Sequence, residues 1–218
     1  MHIANKTALL ELAKDVNLPT YALEQLGEFV GLLELWNERT NLVSRQDIER
    51  IVARHVQESL WFCRPEVLGN ARRVLDLGTG AGFPGMVMKI AVPSLQMTLL
   101  DSRRMKTVFL QAVVAKLGLQ EVSVICDRAE MLAKTSPSLH YDLITCRAVA
   151  KLDRLWPWAA PLLRPGGTLA ALKGGDLDAE RAQFTRRFPD QKPEILSMPI
   201  LACDPAADRK MVVITNHA

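Results

Sequence analysis

The sequence of 218 residues predicts an α/β fold: a doubly wound, mostly parallel sheet with an antiparallel edge hairpin, preceded by a small N-terminal helical extension. Three observations predict it. From residue 71 onward, short apolar runs alternate with segments of helical period, as βαβ units do. The first of these runs, residues 74–77, ends in a glycine cluster. Residues 1–70 carry helical spacing alone.

Segments 5–17, 20–38 and 45–62 read as helices. In the second, Leu23, Leu26, Phe29, Val30, Leu33 and Trp36 define one apolar face, and Pro19-Thr20 marks its start. Ser44 and Asp47 stand at capping-box spacing before the third, where Ile48, Ile51, Val52, Val56 and Leu60 follow. The stretch from Pro65 to Asn70 breaks the pattern, which divides the chain into a helical module, 1–70, and a sheet domain, 71–218. Residues 74–77, 98–101, 122–125, 143–146 and 168–172 read as buried parallel strands, with helices near 85–92, 103–117 and 152–163 between them. Residues 194–198 and 211–215, with no helix between, are expected to pair antiparallel at one edge.

Composition narrows the class. The length suits one sizeable core, and no apolar run approaches the roughly 18 residues that span a bilayer. The first residues lack the features of a secretory leader, so no membrane association is expected. Cys63, Cys126, Cys146 and Cys203 lie far apart with no C-x-x-C, so neither a disulfide framework nor a metal site is expected, and the cytoplasm is the expected location. The net charge of +3 is uneven: residues 1–70 hold 7 Lys/Arg against 10 Asp/Glu, and the remainder holds 20 against 14. A basic sheet domain is compatible with an anionic partner such as RNA.

The chemical signal is the run from Asp76 through Gly78, Gly80 and Gly82 to Phe83, Pro84 and Gly85. In such sheets ligands bind at the carboxyl ends of the strands. One frame, Gly80, Gly82 and Gly85, matches the dinucleotide fingerprint G-x-G-x-x-G; the other, Gly78, Gly80 and Gly82, follows Asp76. A carboxylate near the loop disfavours a pyrophosphate and suits a ligand with an amino group and a cationic sulfur. S-adenosylmethionine is therefore favoured over a nicotinamide cofactor, with the latter's reductase chemistry kept as an alternative. Asp101, ending the next strand, suits the ribose hydroxyls of either. Asp127 and Glu130 both stand where an adenine would lie, and the sequence does not choose between them.

The chain resembles the bacterial 16S rRNA guanine-N7 methyltransferases, the family of the glucose-inhibited division protein B. The resemblance runs over nearly the whole chain: Trp36-Asn37 with Asn41-Leu42, Arg54-His55 with Ser59-Leu60, the loop with its Gly82-Phe83-Pro84-Gly85 ending, Leu100-Asp101-Ser102, Arg128-Ala129-Glu130, Arg147-Ala148-Val149-Ala150, Pro165-Gly166-Gly167 and Leu172-Lys173-Gly174. It implies a Rossmann-like class I methyltransferase fold and S-adenosylmethionine as cofactor, with Gly78, Phe83, Ala129, Glu130 and Arg147 touching the cofactor. The implied substrate is N7 of guanine 527 in 16S rRNA, presented as rRNA or as a small ribosomal subunit particle. Methyltransferases of another RNA base or of a small molecule, and a non-enzymatic RNA-binding module, are the competing readings.

Guanine N7 bears a lone pair and no proton, so no general base is expected, and positioning supplies most of the acceleration. Arg147 is the expected orienting residue, holding the cofactor carboxylate or an RNA phosphate. Cys146 reads as a buried cysteine rather than a nucleophile, and His55 with Ser59 as a structural pair. Arginines of the helical module, Arg39, Arg45, Arg50 and Arg54, join Arg209 and others as candidates for RNA phosphate contacts. A monomer is expected.

Overall fold

The computed structural model describes residues 1–16, 18–136, 138–199 and 208–217; Cys203 lies outside them. One sheet holds β1 (Arg73–Leu77), β2 (Gln96–Asp101), β3 (Val122–Cys126), β4 (Tyr141–Arg147), β5 (Leu163–Gly174), β6 (Glu194–Ser197) and β7 (Arg209–Thr215), in the order β3-β2-β1-β4-β5-β7-β6. β1 to β5 run parallel, and β7 lies antiparallel to both β5 and β6. The edge hairpin is therefore present, with its second strand as the inner one. Strand order reverses between β1 and β4, so the chain ends of these two strands open the crevice.

Alternation along the strands feeds two cores. Val74 and Leu143 face one core, and Leu75, Leu77 and Ile144 face the other. The first face is covered by α1 (Ile3–Asp15), α2 (Thr20–Asn37), the short α3 (Gln57–Leu60) and α4 (Pro65–Leu68), α5 (Gly85–Ala91) and α6 (Arg104–Leu117). The second is covered by α7 (Ala129–Thr135), α8 (Leu152–Ala159) and α9 (Asp178–Arg187). The apolar face read from α2 is real: Leu26, Phe29, Val30 and Leu33 are fully buried. Phe29 reaches Phe83 and Phe109, with ring centroids 5.4 and 6.4 Å away. One apolar core thus runs through the helical extension into the sheet domain without a break at residue 70.

The third segment departs from a regular helix. It runs as a 3-10 turn at Ile48–Arg50, a π-helical stretch at Ile51–Val56, then α3 and a 3-10 turn at Trp61–Cys63. The cause is Asn5. Its amide donates to the Ile48 carbonyl at 2.8 Å and accepts from the Val52 N–H at 3.2 Å. Those are the two groups that would close an α-turn on each other, so the inserted side chain widens the helix there. The Ser44–Asp47 cap does form: Asp47 N–H donates to Ser44 Oγ, and the Ser44 hydroxyl to Asp47 Oδ2 at 2.6 Å.

Candidate active site

The loop after β1 folds over the ends of β1 and β2. The N–H groups of Gly78 and Thr79 both donate to the Leu100 carbonyl at 2.9 Å, which pins the start of the loop to β2. Gly78 has φ +73°, and a methyl group there would lie 2.7 Å from a γ-carbon of Val149. Glycine is required for the backbone conformation and for the close approach of the chain beyond β4.

Asp76 has its carboxylate under this loop, not at its mouth. It is fully buried; Oδ2 accepts from the Gly85 N–H at 2.7 Å and Oδ1 from the Thr145 hydroxyl at 3.1 Å. A methyl group on Gly85 would stand 2.7 Å from that Oδ2. Burial pushes the carboxyl up to about 6, against the hydrogen bonds that favour its charged form. Asp76 therefore ties β1 to α5 and shapes the loop. Asp101 lies nearer the surface: its Oδ2 accepts from the Gly80 N–H at 2.9 Å and its Oδ1 from the Arg103 N–H at 2.8 Å. Burial also lowers the neighbouring Lys106 ammonium below the usual lysine range, while Asp101 opposes that shift.

A cleft of about 220 Å³ opens beside the loop, lined among others by Gly78, Asp101, Asp127, Ala129, Glu130 and Val149. Its charged lining is three carboxylates and one guanidinium, Arg128, which lies 3.8 Å from Glu130. This excess of negative charge is set against a pyrophosphate and favours a cationic ligand. Of the residues read from the sequence, Gly78, Asp101, Ala129 and Glu130 line the cleft together. Both acidic candidates for the adenine end, Asp127 and Glu130, are on its wall. Gly80 and Gly82 belong to the loop without lining the cleft. Phe83 points behind the loop: its ring is buried, 5.4 Å from the rings of both Phe29 and His55.

Arg147 faces a second cavity, of about 400 Å³, lined by Asp47, Arg54, His55, Glu58, Ala148, Lys173, Gly174 and Arg209 besides itself. Ala148, at φ +53°, is a non-glycine residue held in the left-handed region. The bend puts Ala148 on the second cavity and Val149 on the acidic cleft, so the two spaces lie on either side of one strand of backbone. Arg147 Nη1 donates to Glu58 Oε2 at 3.1 Å and lies 2.6 Å from His55 Nδ1, with its guanidinium carbon 5.3 Å from the Phe83 ring centre. A guanidinium only donates, so His55 Nδ1 accepts and the ring proton sits on Nε2, 3.5 Å from Asp47 Oδ1. Burial and then the Arg147 charge push the imidazole down to about 3, so it is neutral. Lys173 is turned to the Ala150 carbonyl and Glu180.

The sequence pairing of His55 with Ser59 is backbone closure: the Ser59 hydroxyl donates to the His55 carbonyl at 2.6 Å. Glu58, at 3% side-chain exposure, passed unnoticed in the sequence, although Arg54, His55 and Glu58 sit at spacings of one helical turn. Cys146 is fully buried, and burial pushes its thiol up to about 12, so it supplies no thiolate. Among the described residues no group of three or more His, Cys, Asp or Glu is placed to hold a metal ion. A larger cavity of about 630 Å³, near Met1, His2 and Glu34, lies away from the glycine loop; there Glu34 already accepts from the His2 N–H and faces the N-terminal amine.

Residues 22–211 match the family model described as rRNA small subunit methyltransferase G. A protein named ribosomal RNA small subunit methyltransferase G from Pelodictyon phaeoclathratiforme is 33% identical over 209 residues, covering 94% of this chain and 89% of the relative. Its namesake from Roseiflexus castenholzii is 41% identical over 159 residues, 72% of this chain and 68% of the relative. Among solved structures, an O-methyltransferase from Bacillus cereus in complex with SAH superposes with a TM-score of 0.60 at 16% identity, over 97% of this chain and 99% of the other, a likeness of fold. On the match across 22–211 and on relatives of this identity and coverage, the chain belongs to the rRNA small subunit methyltransferase G family.

Proposed function

We propose that this chain transfers a methyl group from S-adenosylmethionine to N7 of guanine 527 in 16S rRNA. Family membership carries the coarser part, methyl transfer to small-subunit rRNA. The observation that carries the rest is the pairing of an acidic cleft with an arginine-lined cavity across the backbone of Arg147, Ala148 and Val149.

When bound, S-adenosylmethionine supplies a methyl group on a cationic sulfur. The lining of the acidic cleft fits it: Gly78 leaves the backbone open, Asp101 suits the ribose hydroxyls, and Ala129 with Asp127 and Glu130 would border the adenine. Asp76, Gly80, Gly82 and Phe83 hold the loop in shape from behind. Arg147 takes an RNA phosphate rather than the cofactor carboxylate, because its guanidinium faces the other cavity beside Arg54 and Arg209. That phosphate contact orients the nucleotide, and orientation is what the reaction needs. N7 has no proton to remove, in keeping with a neutral His55 used as an acceptor and a Cys146 held as thiol.

Both spaces lie within one chain, which supports action as a monomer. Ribosomal RNA as substrate puts the reaction in the cytoplasm, and no helix among the described residues is long and apolar enough to cross a membrane. The test is transfer of a labelled methyl group to small subunits lacking the modification and to naked 16S rRNA, followed by nucleoside analysis. The proposal expects label in 7-methylguanosine; label in another nucleoside, or none, would overturn it.

A further inference from the structure

Glu58 sits on α3 with its carboxylate almost sealed from solvent, and positive groups surround it. Oε2 accepts from Arg147 Nη1 at 3.1 Å, Oε1 accepts from Arg209 Nε at 2.8 Å, and Arg54 Nε lies 3.9 Å from the same Oε1. The three arginines come from distant parts of the chain: the π-helical stretch, the end of β4 and the start of β7. Three guanidiniums on one cavity wall repel one another, and a carboxylate so buried is tolerated only when paired on all sides. Each solves the other's problem.

The bonds also have a direction. Both polar contacts of Arg147, to Glu58 and to His55, leave from Nη1, so neither engages its Nη2 and Nε donors. The carboxylate and the imidazole together fix the plane of the guanidinium from behind. The wider π turn brings Arg54 and His55 to this wall, and Glu58 follows it directly, so the N-terminal extension supplies part of the site.

Resting on the reading of this cavity as the RNA side of the enzyme, we propose that Glu58 is a positioning residue: it gathers Arg147 and Arg209 into a preformed clamp for an RNA phosphate without touching the substrate itself. Preorganisation of this kind acts on substrate affinity and alignment and leaves the cofactor cleft alone.

Glu58→Gln keeps the shape and removes the charge. Steady-state methylation of small-subunit rRNA should show the KM for RNA raised at least about tenfold, with a shallower salt dependence of RNA binding, since fewer phosphates are engaged. The Kd for S-adenosylhomocysteine stays within twofold of wild type and certifies the fold. Glu58→Asp, which keeps the charge but withdraws it by one methylene, should fall between the two. Glu66→Gln, which removes an exposed partner of Arg64, should match wild type. An unchanged RNA KM and salt slope in Glu58→Gln would overturn the proposal. Should that variant fail to melt cooperatively, Glu58→Asp decides alone: a raised KM supports the proposal and an unchanged one overturns it. A wild-type chain that methylates no guanine N7 would instead overturn the functional reading, so the two failures are distinguishable.

Discussion

Replacing Gly78 by alanine tests the geometry of the cofactor cleft. Two costs follow from the structure. The φ of +73° places alanine in the left-handed region, at about 1–2 kcal/mol. The added methyl group stands 2.7 Å from one γ-carbon of Val149 and 3.5 Å from the other. Val149 is stiff at its first torsion and follows the already left-handed Ala148, so it has little room to retreat. Overpacking of this kind costs about 1–3 kcal/mol. A total of about 2–5 kcal/mol corresponds to a fall in Tm of about 5–15 °C for a chain of this size.

Relief by shifting the loop moves Gly78 out of the cleft wall. Each 1.4 kcal/mol retained in the bound state is about tenfold in Kd. Calorimetric titration with S-adenosylhomocysteine should therefore show affinity reduced by about ten- to a hundredfold. Gly69→Ala is the control: its φ of +51° carries the backbone cost, but its methyl group meets nothing within 4 Å and lies far from the cleft. It should lose some stability and no affinity. Adding Val149→Ala to Gly78→Ala should recover the packing share and leave the backbone share. Gly78→Ala with wild-type affinity would refute the placement of this glycine in the cofactor cleft.

Further outcomes follow from the buried titrating groups. Asp76 has a folded pKa of about 6, above the ordinary unfolded value of about 3.9, so its stabilising contribution is present below pH 3.9 and lost as pH rises through 6. That difference is worth up to about 3 kcal/mol, and urea unfolding of Asp76→Asn should lack this share of the pH dependence; identical pH profiles would contradict it. His55, pushed down to about 3, acts in the opposite sense: stability falls as pH drops from about 6.5 towards 3, and His55→Gln should soften that fall. Cys146→Ser should retain methyl transfer, and complete loss in a folded variant would point to a covalent route. The kcat of the wild-type enzyme should be flat from pH 6.5 to 8.5 if no general base is used; a steep acid limb would argue otherwise.

Much of this architecture was legible from period and punctuation. Runs such as 74–77 and 143–146 are apolar because both faces of the sheet are covered, and the glycine loop marks the first turn into a helix. Elements with little apolar content escaped: α9 buries only Phe184 and α7 only Leu132, too few to set a period. The break in the third helix was invisible because its cause, Asn5, lies more than forty residues upstream. The same holds at the site. Asp101, Ala129 and Glu130 were readable because they directly follow strands. The true setting of Asp76, under the loop rather than at its mouth, depends on Thr145 from another strand. The cluster of Glu58 with Arg147 and Arg209 joins residues 89 and 151 positions apart, and no local spacing encodes that.

The division of labour between the two spaces is most directly tested by separate binding measurements on Arg147→Gln. Loss of at least about tenfold in affinity for small-subunit rRNA, with the Kd for S-adenosylhomocysteine within twofold of wild type, is the predicted result. Weakened S-adenosylhomocysteine binding with intact RNA affinity would place the guanidinium on the cofactor and contradict the account.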